Sequence, residues 1–293
     1  MTGILLVDKP QDWTSHDVVA KLRRLLGERR IGHAGTLDPM ATGLLTIFVG
    51  RATRAVEFAE AAEKTYIARL KPGLTTDTQD TTGRVLSECE DMVSQEALEA
   101  ILPRFLGEVL QVPPMYSAIK VDGQRLYKLA RQGVEVERKA RPVTIYGISV
   151  LGQTGNEFDL EISCSKGTYI RTLCHDIGQA LDCGGVMSAL RRTQVGAFSV
   201  EEAHTLVEIE ETADRASLLR PVDVLFAAYP AVTVDGTRER GIRNGQTVAL
   251  EAGSPGMVRV YGQDGTFLAL GEIVVRQGLM LITKKSFFAP MGG

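Results

Sequence analysis

Within the thirteen residues Gly32-His33-Ala34-Gly35-Thr36-Leu37-Asp38-Pro39-Met40-Ala41-Thr42-Gly43-Leu44 stand one carboxylate, one imidazole and three glycines. Asp38 is the only acid in this stretch and directly precedes Pro39, whose ring drives the preceding residue out of the helical region towards extended backbone. A carboxylate on a stiffened loop can act as nucleophile, general base or charge stabiliser. An isolated Asp-Pro pair is most often a turn initiator, because Asp suits turns for backbone reasons alone, and His33 can be an ordinary loop histidine. A second charged residue bears on the choice. Arg171, in Ser165-Lys166-Gly167-Thr168-Tyr169-Ile170-Arg171-Thr172-Leu173, falls in the first turn of an expected helix running through Leu181. A cation there opposes the helix dipole by about 0.3 to 1 kcal/mol, so an anionic partner is expected. Asp38 is the candidate, with water-bonded arginine as the alternative on electrostatics alone.

These side chains need elements to hold them. Gly3 to Val7 reads as a buried strand. Thr14 to Asp17 offers hydroxyl caps and an early acid for a helix with Val18, Val19, Leu22, Leu25 and Leu26 on one face, closed by Gly27. Residues 32 to 43 then form a loop ahead of the apolar strand Leu44 to Val49. Arg51 to Glu63 reads as helix, and Thr65 to Leu70, with Tyr66, as strand. Asp77 to Gly83 lacks the Asp-x-Asp spacing of an aspartyl-phosphate motif and reads as a polar hairpin. Ser94 caps a helix through about Leu106, Met115 to Val121 resumes a strand, Asp122-Gly123 turns, and Gln124 to Gln132 forms a short basic helix. The region from about Gln124 to Arg141, this helix included, is charged and weakly apolar and suggests a flap over about 123–142. Val143 to Leu151 and Phe158 to Cys164 read as an antiparallel pair, Val186 to Val195 as a strand, and Ser199 to Glu202 as a capping box. From about Tyr229 five short strands with frequent glycines suggest a small barrel or sandwich.

Composition sets limits. The 293 residues, 44% hydrophobic and 24% charged, suit a globular chain of about two domains. No stretch approaches a membrane span and the N-terminus lacks a signal-peptide core, so a cytoplasmic protein is expected. Four scattered cysteines and four histidines give no metal-ligand spacing. A net charge of −3 argues mildly against a nucleic-acid partner. Local clusters matter more, since phosphate attraction acts over roughly 8 to 10 Å at physiological salt. Three stand out: Arg23, Arg24, Arg29 and Arg30; Arg138, Lys139 and Arg141; and Arg191 with Arg192.

Four motifs occur in order: Lys9-Pro10, GHAGTLDPxATG, PPMYSAIKVDGxRLY and SKGTYIRTL. Together they resemble the TruB family, the bacterial tRNA pseudouridine-55 synthases, over most of the chain from Gly3 to about Pro221. The resemblance implies an α+β pseudouridine synthase fold with a mixed, largely antiparallel central sheet over 1–228. It also implies a small C-terminal all-β, PUA-like RNA-binding domain over 229–293. By the same resemblance Asp38 is the catalytic aspartate and Arg171 its partner. Tyr66 stacks on the target base and takes part in proton removal, His33 helps hold the flipped nucleotide, and Tyr169 and Leu190 line the base pocket. Lys9 and Pro10 support the loop. The implied substrate is the T arm of tRNA, with no cofactor, no metal, no membrane and no required protein partner, the enzyme acting as a monomer. Lys71-Pro72-Gly73 departs from the family pattern, which has an apolar residue before the glycine. Three rivals remain: an RNA chaperone without catalysis, a guide-RNA-dependent synthase of the dyskerin type, and a hydrolase using Asp38 with His33.

Overall fold

The computed structural model describes residues 1–117, 119–121 and 123–288. In chain order the elements are β1 Gly3–Lys9, α1 Ser15–Leu26, β2 Ile31–Ala34, β3 Thr42–Val49, α2 Val56–Glu60, β4 Lys64–Pro72, β5 Leu74–Thr76 and β6 Val85–Glu88. There follow α3 Gln95–Ile101, β7 Gly107–Gln111, β8 Lys120–Val121, β9 Gln124–Arg125, α4 Leu126–Arg131, β10 Arg141–Thr154, β11 Glu157–Cys164, α5 Ile170–Ala180, β12 Gly185–Val195 and β13 Phe198–Ser199. The last are α6 Leu206–Glu211, β14 Ala231–Thr233, α7 Gly236–Arg243, β15 Val248–Leu250, β16 Gly256–Tyr261, β17 Phe267–Val275 and β18 Leu279–Ser286. No helix among the described residues is long and apolar enough to cross a membrane.

The main sheet runs β1-β3-β12-β4-β11-β10-β7, with β2 added to β3 and β13 to β12. All its pairings are antiparallel except the short parallel contact of β12 with β3, at Arg191↔Thr42 and Arg192↔Gly43. The expected mixed, largely antiparallel α+β architecture is therefore present. Strand β3 is apolar on both faces because both are covered. Leu45, Ile47 and Val49 pack under α1 with its Val18, Val19, Leu22 and Leu26. Leu44 and Phe48 face the opposite cluster. The α1 boundaries follow from its caps: Thr14 and Asp17 form a capping box, and Gly27 takes the left-handed conformation. Along β4, Tyr66, Ala68 and Leu70 turn inward to the face packed by Leu173, Cys174 and Ile177 of α5.

A second sheet, β14-β16-β17-β18-β15, forms the C-terminal β unit. It also carries α7, capped by Asp235, a helix absent from the expected elements: Gly236 and Gly241 make its propensity poor, and Ile242 docking into the apolar interior of the unit compensates. The two sheets meet through aromatic packing. Phe226 contacts Phe58 edge-on at 5.0 Å and lies beside Phe267 and Phe287 at 6.0 and 5.9 Å.

Other expectations need correction. Residues 31–34 of the presumed loop are strand, because Ile31 to Ala34 pair with Val49 to Thr46 and leave a loop of only 35–41. The expected helix over Arg51 to Glu63 is a 3-10 turn, Gly50–Ala55, followed by the short α2. The expected strand over Met115 to Val121 is confined to β8, and the basic helix starts only at Leu126, after the β8–β9 hairpin. Ala118 of that strand and Asp122 of the expected turn lie outside the described residues, as do residues 289–293.

Candidate active site

The loop over 35–41 is fixed from below. Leu37 and Ala41 are buried on either side of Asp38. Ser15, at the start of α1, accepts from the Leu37 N–H at 2.9 Å and donates back to its carbonyl at 3.2 Å. Lys9 is fully buried and donates its ammonium to the carbonyls of Pro10, Trp13 and Pro39 at 2.8, 2.6 and 3.3 Å. Burial pushes its pKa down to about 8, against the attraction of Asp12 and Asp38. The Asp12 N–H adds a bond to Pro39 O. Both residues flanking Asp38 are thus held, while its carboxylate stays 43% exposed.

That carboxylate meets Arg171 across the sheet. Arg171 Nε lies 3.0 Å from Asp38 Oδ2, and the arginine side chain is only 7% exposed. Its other nitrogens donate to Thr78 O at 3.0 Å and Tyr116 O at 2.8 Å, and Nη1 stands 3.5 Å from Asp80 Oδ2. Asp80 is buried and accepts from the hydroxyls of Thr78 and Thr82 and from the Thr82 N–H. Arginine can serve four acceptors because it carries five N–H donors in a rigid fork. One face of the fork is used up by the fold, and its Nε edge meets the one carboxylate open to solvent. The N-terminus of α5 is set by Gln111, whose side-chain amide accepts from Tyr169 N at 3.0 Å and donates to Tyr169 O at 3.2 Å.

Tyr66 and Tyr169 stand in the field of the same carboxylate. Burial raises the pKa of both phenols, and Asp38 pushes each in the same direction. Leu190 pairs with Ala68 in the β12–β4 register and shares a cleft with Met40 and Thr42 of the loop. Asp38 and Arg171 are thus paired, Tyr66 and Tyr169 lie in the field of that carboxylate, and Leu190 packs against the cluster that holds Leu37 and Tyr66. His33 lies on β2, where its ring stands edge-on to His16 at 6.1 Å. Burial, His16 and Arg192 hold its pKa down, and its Nδ1 is buried without a partner. The lowered pKa favours the neutral imidazole at pH 7.

Sequence reasoning missed Asp80, Gln111 and Arg192 as parts of this site. The first two gave no usable signal. Arg192 was misassigned: it and Arg191 read as a basic cluster, but Arg192 is 1% exposed and bonds carbonyls of the loop, while Arg191 forms a two-pronged pair with Asp8. Arg23 and Arg138 of the other clusters also donate to backbone carbonyls, of Ile31 and Pro113.

The fold is that of the pseudouridylate synthases: one solved relative, in a Cbf5–Nop10–Gar1 complex, superposes with a TM-score of 0.74 at 26% identity, covering 98% of this chain and 85% of that one. Family models match residues 23–170 (TruB family pseudouridylate synthase, N-terminal domain), 171–227 (tRNA pseudouridylate synthase B C-terminal domain) and 230–276 (pseudouridine synthase II TruB, C-terminal). The chain belongs to the TruB family of pseudouridylate synthases. Among curated relatives, the tRNA pseudouridine synthase B of Ralstonia pickettii (strain 12J) is 47% identical over 292 residues, covering 95% of this chain and 92% of its own. That of Dechloromonas aromatica (strain RCB) is 46% identical over 272 residues, covering 92% and 91%.

Proposed function

We propose that the protein isomerises uridine to pseudouridine at position 55, in the T loop of tRNA, with Asp38 as nucleophile and without a cofactor. The observation that carries this reading is the Asp38–Arg171 pair, in which a solvent-facing carboxylate is held at 3.0 Å by an arginine otherwise buried in the fold. The reaction breaks the bond from ribose carbon 1′ to base nitrogen 1 and forms one from the same carbon to base carbon 5. The proton on carbon 5 leaves and nitrogen 1 gains one, so atoms and electrons balance within the substrate. The Asp38 carboxylate, held by Arg171, attacks the target nucleoside, and the bond it forms is broken again before the product leaves. Tyr66 stacks on the base and takes part in proton removal, Tyr169 and Leu190 line the pocket, and neutral His33 helps keep the nucleotide out of the RNA stack. Flipping a base costs a few kcal/mol and aromatic stacking returns about 1 to 3 kcal/mol, so one tyrosine nearly balances the extrusion.

In this reading the catalytic domain is 1–228, with a flap over about 123–142 that closes on RNA, and 229–293 is a PUA-like RNA-binding domain. The enzyme works in the cytoplasm as a monomer on the T arm, with no protein partner. The test is to map pseudouridine in an unmodified tRNA transcript incubated with the purified protein alone. One new pseudouridine at position 55 is expected. Modification at another position, or only after a guide RNA is added, would overturn the reading.

A further inference from the structure

Among the described residues Arg192 is the largest side chain to be almost wholly buried, and it has no carboxylate within ion-pair distance. A buried guanidinium without a counter-charge costs free energy unless its N–H groups are used. Here they are. Nε donates to Leu44 O at 2.7 Å and Nη2 to Gly35 O at 2.9 Å, so one side chain spans the loop that carries Asp38 from its first residue to the strand beyond it. Two glycines of the motif are shaped by this passage. A Cβ on Gly35, at φ +72°, would lie 3.0 Å from Arg192 Nη1, and one on Gly43, at φ +97°, would lie 2.3 Å from Arg192 O. In the β12–β4 register Arg192 stands directly opposite Tyr66, which puts the two side chains on one face of the sheet, and the guanidinium charge opposes the rise that burial causes in the Tyr66 pKa.

We propose that Arg192 is a positioning residue for the isomerisation, tying the Asp38 loop to the Tyr66 phenol and fixing which way that phenol presents its proton. Guanidinium offers donors only, so the tyrosine oxygen must accept from it. The phenol hydrogen is then left to point towards a third group, on the side where Asp38 and the substrate lie. If the tyrosine gives up its proton, the same guanidinium faces the phenolate as a counter-charge. Lysine cannot reproduce this geometry, because a point ammonium cannot serve Leu44 O, Gly35 O and the phenol from one fork. The inference rests on the synthase reading above and adds to it a group that touches no substrate atom.

The test is a double-mutant cycle of R192K and Y66F, read as tRNA affinity and as the rate of tritium release from tRNA carrying carbon 5 labelled uridine. With enzyme in excess, so that the slow residual release of Y66F is resolved in a single turnover, a charge-assisted bond to the phenol predicts that R192K lowers the rate about tenfold in the wild-type background, with tRNA affinity unchanged, and by a clearly smaller factor in Y66F, where only the loop bonds to Leu44 O and Gly35 O are lost. Equal losses in both backgrounds would overturn the proposal, since a loop-supporting role alone is blind to the hydroxyl. A wild type that releases no tritium fails the synthase reading instead, so the two failures are distinct. Should R192K not fold, the contact is read without it, from the Arg192 guanidinium proton resonances in wild type and Y66F. Loss of the acceptor must shift them and speed their exchange with solvent. Unchanged signals would contradict the assignment.

Discussion

At the level of single residues, the site separates charges that the fold has already neutralised from the one it leaves available. Asp80 and Asp38 both face Arg171, but Asp80 is 6% exposed and saturated by threonine donors, while Asp38 is 43% exposed and open on one side. The proposed role of Asp38 as nucleophile accords with that difference. Elsewhere a carboxylate pays a penalty with no such return: Asp176 on α5 has its pKa raised to about 6 by burial alone. A raised carboxyl pKa means the folded state binds more protons, so stability is lost as pH rises from the unfolded value through 6. Asp176→Asn is therefore expected to match wild type at pH 4 and to exceed it in urea midpoint at pH 7 to 8, the gap opening between those limits. A gap that is constant with pH would contradict the assignment.

At the level of elements, the loop over 35–41 is held by two buried cations from opposite sides, Lys9 from β1 and Arg192 from β12. Burial lowers the Lys9 pKa to about 8 from 10.5. The folded state then binds fewer protons than the unfolded between about pH 8 and 10.5, so Lys9 adds stability as pH rises through that window. Denaturant titrations of wild type and Lys9→Met should show the difference in unfolding free energy moving in favour of wild type across it, and a parallel pair of curves would refute the shift. The element pattern was largely legible in the sequence, because α1, β3, β4, β10, β11 and α5 each declare themselves by periodicity and caps. The loop itself was drawn too long. Ile31 to Ala34 became strand through pairing with β3, which no local signal announces. Asp80 was hidden for the same reason, as its partner Arg171 lies 91 residues away in the chain. Arg192 misled because two adjacent arginines look alike in sequence, whereas alternation along a strand sends them to opposite faces.

At the level of the whole molecule, the nine-stranded sheet and the C-terminal sheet share an apolar cluster in which Phe226 is central, with Phe58 on one side and Phe267, Phe287 and Leu270 on the other. The Tyr261 hydroxyl adds a bond to Asp223, and Lys285 pairs with Glu57 across the same junction. Phe226→Ala should cost about 3 to 5 kcal/mol and split a single denaturant transition into two, with loss of the C-terminal sheet first. One transition at an unchanged midpoint would argue that the two sheets do not depend on this packing. The overall class and the five C-terminal strands could be read from the sequence, but α7 and the aromatic junction could not, since both depend on contacts made only after folding.

The central claim is that Asp38 performs the chemistry. The most direct measurement is tritium release from tRNA transcribed with carbon 5 labelled uridine, comparing wild type with Asp38→Asn, together with the tRNA affinity of each and no other protein or RNA present. Release by wild type and none by the variant, at equal affinity, is the predicted result. Release by Asp38→Asn at the wild-type rate would contradict the account.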